Sequence, residues 1–139
     1  MSQQESSYVD DVTIKDDAPL WRRVPPPHFI FDENRQAWRP SSAAFDDHPN
    51  GSPMSVLLGE DILAAGRTPE SVLEGHEQFA LVSFTAGLAR AQQQGVMRKP
   101  LPEEPAHAEV FGRKTRAVKQ AIARGSQWIV PPAAGNAAE

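Results

Sequence analysis

Four histidines, at 28, 48, 76 and 107, and no cysteine set the limits of the chemistry this chain can do. Without cysteine there is no thiolate nucleophile, no disulfide and none of the usual structural zinc sites. The histidines show no H-x-H, H-x₃-H or H-E-x-x-H spacing. His48 lies beside Asp46 and Asp47, and such acidic loops are mostly solvated, so no metal site is expected. Nucleophilic serine chemistry fares no better, because Gly51-Ser52-Pro53-Met54-Ser55 has a proline where a nucleophile elbow must enter its helix. The most suggestive stretch is His107 to Thr115, where a strand ends at Gly112 and a helix opens with Lys114-Thr115. A helix start of that kind can meet an anion. It nominates Arg113, Lys114 and Arg116 as anion-binding residues and His107 as an acid/base. It is not a P-loop, since Arg113 stands between Gly112 and Lys114 and the upstream glycine is absent. Its plain reading is an ordinary strand-to-helix turn.

A second set is Arg39-Pro40-Ser41-Ser42 with Glu60 or Glu109. It resembles ADP-ribosyltransferase sites, where an arginine or histidine, a Ser-rich strand and a glutamate hold NAD. That resemblance implies a catalytic-site role for Arg39. The competing reading is a turn whose serine hydroxyls bond the backbone. No cofactor is expected. The aromatic residues are spread evenly, which suits a core better than a base-stacking platform. Trp38, flanked by Gln36 and Arg39, is the ring most suited to face a partner.

The elements that must position these residues are short. Thirteen prolines in 139 residues interrupt the chain often. The reading is α+β: a single small domain with a short mixed or antiparallel sheet, three to four helices on one face, and disordered polar termini. Residues 1–19 form an acidic, flexible N-terminal arm, 20–130 the domain, and 131–139 a disordered tail. Strands are expected at His28–Phe31, Met54–Leu58, Phe79–Phe84, Val96–Met97, Ala106–Phe111 and Gln127–Val130. Helices are expected at Glu60–Ala65, Thr68–Glu77, Ala86–Gln94 and Arg113–Arg124. Pro25-Pro26-Pro27 is read as polyproline, Leu20-Trp21 as the opening of the body, and Trp128 and Ile129 as core.

Charge is unevenly placed. The net −4 argues against nucleic acid as a partner. Residues 1–17 carry five acids against Lys15, whereas residues 112–130 carry five bases and no acid. An acidic arm folded back on the helix start is one way to offset bases at its positive end. The N-terminus has no signal pattern, and no apolar run could span a membrane, so a cytoplasmic location is expected. The stretches Trp38–Phe45, Gly51–Val56 and Pro105–Thr115 together look similar to small uncharacterised bacterial proteins. The likeness spans about Leu20 to Val130 and carries no activity with it. The function expected is that of a non-enzymatic interaction protein, an accessory or regulatory subunit binding a protein partner. The alternative is a small enzyme or binding protein that takes a phosphate-bearing or nucleotide ligand at the 107–116 turn.

Overall fold

The strand at the centre of the sheet carries two adjacent arginines. The computed structural model describes residues 8–132. In chain order its elements are β1 (Pro19–Val24), β2 (Phe29–Asp32), β3 (Ala37–Pro40), β4 (Met54–Leu58), α1 (Gly59–Ala64), β5 (Ala80–Thr85), α2 (Ala86–Ala91), β6 (Gly95–Arg98), β7 (His107–Phe111), α3 (Arg116–Gly125) and β8 (Gln127–Val130). Six strands form one antiparallel sheet in the order β6-β7-β4-β1-β5-β8, and β2 with β3 makes a separate hairpin.

Alternation along the strands divides the apolar residues between two faces. Leu20, Val24, Met54, Val56, Val82, Phe84, Ala108 and Val110 pack with Phe45, with Ala86 and Ala89 of α2, and with Val118 and Ile122 of α3. Trp21, Leu57 and Leu81 point the other way and pack with Ile62 of α1, Val72 and Leu73. Helices therefore cover both faces, not the single face expected. Three helices form among the described residues. The fourth expected, at 68–77, is a single 3-10 turn over Glu70–Leu73, because the chain turns again at Gly75, whose φ is +79°. Trp128 and Ile129 are half-buried at the margins of the two clusters, since β8 is an edge strand.

On the Trp21 face, Gly59 starts α1 directly against the indole. A Cβ there would lie 2.5 Å from Trp21 Nε1. Gly59→Ala should therefore destabilise the protein by about 1–3 kcal/mol in urea unfolding, as overpacking does. An unchanged midpoint would show that the indole can move aside.

Upstream of β1, residues 8–18 lie along β6 and α2. Asp11 N donates to Val96 O (2.8 Å), and Val96 N donates to the Asp10 carboxylate (2.9 Å), so this segment pairs with the β6 edge. Arg90 of α2 donates to Asp10, to Asp16 (2.7 Å) and to Asp11 O. Tyr8 stacks on Phe111 at 5.6 Å, and Ile14 is buried. A flexible arm was expected as far as residue 19. Its described part is instead held by an apolar anchor and by Arg90, and its acids do not reach the start of α3. The expected mobility of residues 1–7 and 133–139 lies outside the described residues.

Four carboxylates held below their ordinary values, Asp11, Asp46, Glu77 and Glu104, give the fold a pH dependence. Hydrogen bonds from the Thr13 hydroxyl and amide hold Asp11 below its ordinary value. The bidentate Arg67 pair, at 2.8 and 2.9 Å, does the same for Glu104. Groups depressed in the folded state stabilise it fully above their unfolded pKa, and that contribution is lost as pH falls through the folded value. Stability should hold above the ordinary Glu value of 4.5 and decline below it. Asp11→Asn with Glu104→Gln should flatten the acid limb of the melting profile. A limb of unchanged steepness would assign the acid sensitivity elsewhere.

Candidate functional site

The β2–β3 hairpin is set by its turn. Asp32 Oδ1 accepts from Asn34 N (3.0 Å) and Arg35 N (3.3 Å), the local bonding that makes aspartate a turn former. Gln36 takes a positive φ of +52° to close the turn. Across the hairpin, Phe31 and Trp38 meet edge to face at 5.3 Å. The hairpin leans on the body through Trp128, whose Nε1 donates to Trp38 O (2.9 Å) and whose ring meets Phe29 at 6.0 Å.

Between the hairpin and the C-terminal half of α3 with β8 lies an open cleft of about 530 Å³. Its walls carry Trp38, Trp128, Arg35, Arg39 and Arg124, with Asp32 as the only acid among the described residues that line it. Ser41, Ser42, Gln120 and Gln127 add neutral hydrogen-bonding groups. The arginines here differ from five others in the chain. Arg22, Arg23, Arg67, Arg90 and Arg98 each donate hydrogen bonds that tie elements together. Arg35 and Arg39 only face Asp32 Oδ2, at 3.8 and 3.7 Å, beyond hydrogen-bond range. Arg124 has no ion-pair or hydrogen-bonding partner for its guanidinium among the described residues. The cleft thus offers three guanidinium groups whose hydrogen-bond donors are not taken up among the described residues, and Trp128 offers a ring face, its N–H being already engaged.

The strand-to-helix turn at 107–116 is built differently. Thr115 caps α3 by accepting from Val118 N (3.2 Å), so the helix begins at Arg116 rather than Arg113. Lys114 is almost wholly enclosed. It pairs with Asp47 at 2.9 Å and donates to Val110 O and Gly112 O. Burial pushes its pKa down, and Asp47 opposes the shift. Lys119 pairs with Asp46 at 3.2 Å. The acids that neutralise this end of α3 thus come from the 46–47 loop. Gly112, at φ +135°, leaves room for the Gln94 amide, which donates to Arg113 O (3.0 Å). The turn is filled by the chain's own groups, while Arg113 and Arg116 stay exposed outside it.

His107 lies elsewhere, on β7. Its Nδ1 is 2.8 Å from Lys99 O and its Nε2 3.0 Å from Ser55 Oγ. A carbonyl can only accept, so the proton is on Nδ1 and Nε2 accepts from the serine. This is a nucleophile–base contact in form. It joins adjacent strands, with Leu57 opposite His107 and Ser55 opposite Glu109, and serves as a cross-strand tie. The cleft holds Arg39 with Ser41 and Ser42, but neither Glu60, on α1, nor Glu109, on β7, lines it. The glutamate that the ADP-ribosyltransferase resemblance requires is therefore missing from the cleft.

The sequence singled out Trp38 and Arg39, which share the cleft, and His107 and Lys114, which do not join them. It missed Arg35, Arg124 and Trp128. Their only signal was residue type. Among the described residues, no group of three or more His, Asp or Glu side chains is placed to hold a metal, and no helix is long and apolar enough to cross a membrane. No family model, no curated protein and no solved structure matches this chain.

Proposed function

We propose that this is a non-enzymatic interaction protein, an accessory or regulatory subunit that binds a partner protein at the cleft between the β2–β3 hairpin and α3. The observation that carries this reading is the set of three arginines, whose guanidinium groups make no hydrogen bond among the described residues and share one acid, Asp32, beside Trp38 and Trp128 in one open concavity. Arginine and tryptophan are the residues that most often dominate binding energy at interfaces. The hairpin adds Phe31, 41% exposed, as an apolar rim. The alternative, an enzyme acting on a phosphate-bearing ligand at the 107–116 turn, draws less support. Lys114 is engaged by Asp47, and Arg39, His107 and Lys114 lie in three separate places.

The test places a photo-crosslinking residue at Gln120, in the cleft, and a control at Glu70, on the opposite face, in the full chain expressed in its host. A discrete adduct is expected from position 120, absent from position 70 and lost when Trp38→Ala is added. Equal adducts from both positions, or an adduct indifferent to Trp38→Ala, would remove the cleft as the docking surface.

A further inference from the structure

Resting on that reading, we infer that the cleft takes an acidic, extended segment of the partner, with carboxylates on either side of an apolar or aromatic side chain. Charge is the first argument. The chain as a whole is at −4, yet this concavity gathers three arginines against one aspartate. Asp46 and Asp47 meet Lys119 and Lys114 one to one. Here Asp32 alone is shared as an ion-pair partner by Arg35 and Arg39, and Arg124 has no acid partner among the described residues. At 3.8 and 3.7 Å these contacts are too long for hydrogen bonds, which leaves the forked donors open to bidentate pairing with incoming carboxylates.

The shape of the charge selects the kind of anion. Arg35 stands at the hairpin turn and Arg124 at the end of α3, so the positive charge is spread along the cleft. The helix presents its C-terminal end here, through Ala123, Arg124 and Ser126. That end carries the negative pole of the helix dipole and repels a concentrated anion. A phosphate cluster such as a triphosphate needs the opposite pole and donors gathered at one point. Separated monoanions need neither. The indole faces of Trp38 and Trp128 then suit an apolar or aromatic side chain lying between the carboxylates.

Two synthetic peptides, Glu-Glu-Phe-Glu-Glu and Lys-Lys-Phe-Lys-Lys, with ATP and inorganic phosphate, separate the possibilities. Tryptophan emission of the full chain reports on Trp38 and Trp128, because Trp21 is buried on the other face. The acidic peptide is expected to shift the emission saturably and to bind more weakly as salt rises. Arg39→Glu with Arg124→Glu should weaken it by roughly tenfold or more, and should let the basic peptide bind. Both arginines are exposed, so the variant's melting temperature should stay near that of the wild type. Saturable binding of ATP or phosphate in preference to the acidic peptide would overturn the inference. Acidic-peptide binding unaffected by the double reversal would overturn it as well. If position 120 crosslinks a partner while the peptide is silent, the inference fails alone. If both are silent, the docking reading fails with it.

Discussion

Phe45→Ala should destabilise the protein by about 3–5 kcal/mol, the range for removing a fully enclosed aromatic ring. Phe45 is completely buried and meets Phe84 of β5 edge to face at 5.9 Å. It sits in the 3-10 turn Ser42–Phe45, whose first residues are held by Ser41 Oγ accepting from Ala43 N (3.1 Å). α3 packs on this turn, so the ring is the floor on which the helix rests. Equilibrium unfolding in urea measures the loss. A change under about 1 kcal/mol would mean that α3 collapses into the space without strain. The cleft would then be expected to change shape, since the same helix forms its wall.

Arg22→Ala is the second large effect, expected at roughly 2–4 kcal/mol because it strips donors from carbonyls that have little access to water. Its Nε donates to Ala44 O (2.8 Å) and its Nη1 to Ser55 O (2.7 Å). Burial pulls the guanidinium down to about 10, with Asp46 and Asp47 opposing that shift. At neutral pH it stays charged. This one side chain therefore fixes the segment that carries Phe45 and the two aspartates, and those aspartates hold Lys114 and Lys119. Arg22→Met keeps most of the stem's packing while losing the same bonds, so it should fall between wild type and alanine. Methionine as stable as arginine would assign the residue's role to packing alone.

The same residue explains what the sequence conceals. β4 and β8 coincide with the expected Met54–Leu58 and Gln127–Val130, because short runs rich in apolar residues between turn signals read directly as strands. β1 escaped because Arg22 and Arg23 interrupt its apolar residues and prolines stand at 19 and 25–27. Arginine is normally read as solvent-facing. Here each one reaches a carbonyl across a different face, Arg22 to Ala44 and Arg23 to Val72 (2.8 Å). Arg113 to Arg116 were read as a helix start because the Thr115 cap was overlooked. That cap moves Arg113 and Lys114 out of the first turn. Trp38 and Arg39 could be picked by type, but the cleft could not be foreseen. It needs β8 and α3 brought beside a hairpin from the other end of the chain, and that is a matter of topology.

The place of β1 also orders the folding reaction in time. β1, the first strand in chain order among the described residues, lies inside the sheet, with β4 on one side and β5 on the other. Leu20 finds its neighbours at Leu58 and Phe84, and neither pairing can form until most of the intervening chain is available. Closing such long loops costs entropy before any pairing rewards it. The Tyr8–Phe111 stack joins still more distant residues. A nascent chain must therefore hold β1 unpaired at least until β4 has been made, and one edge of it until β5 has been made. Refolding from denaturant should fall in the slow regime of non-local sheets, roughly milliseconds to seconds.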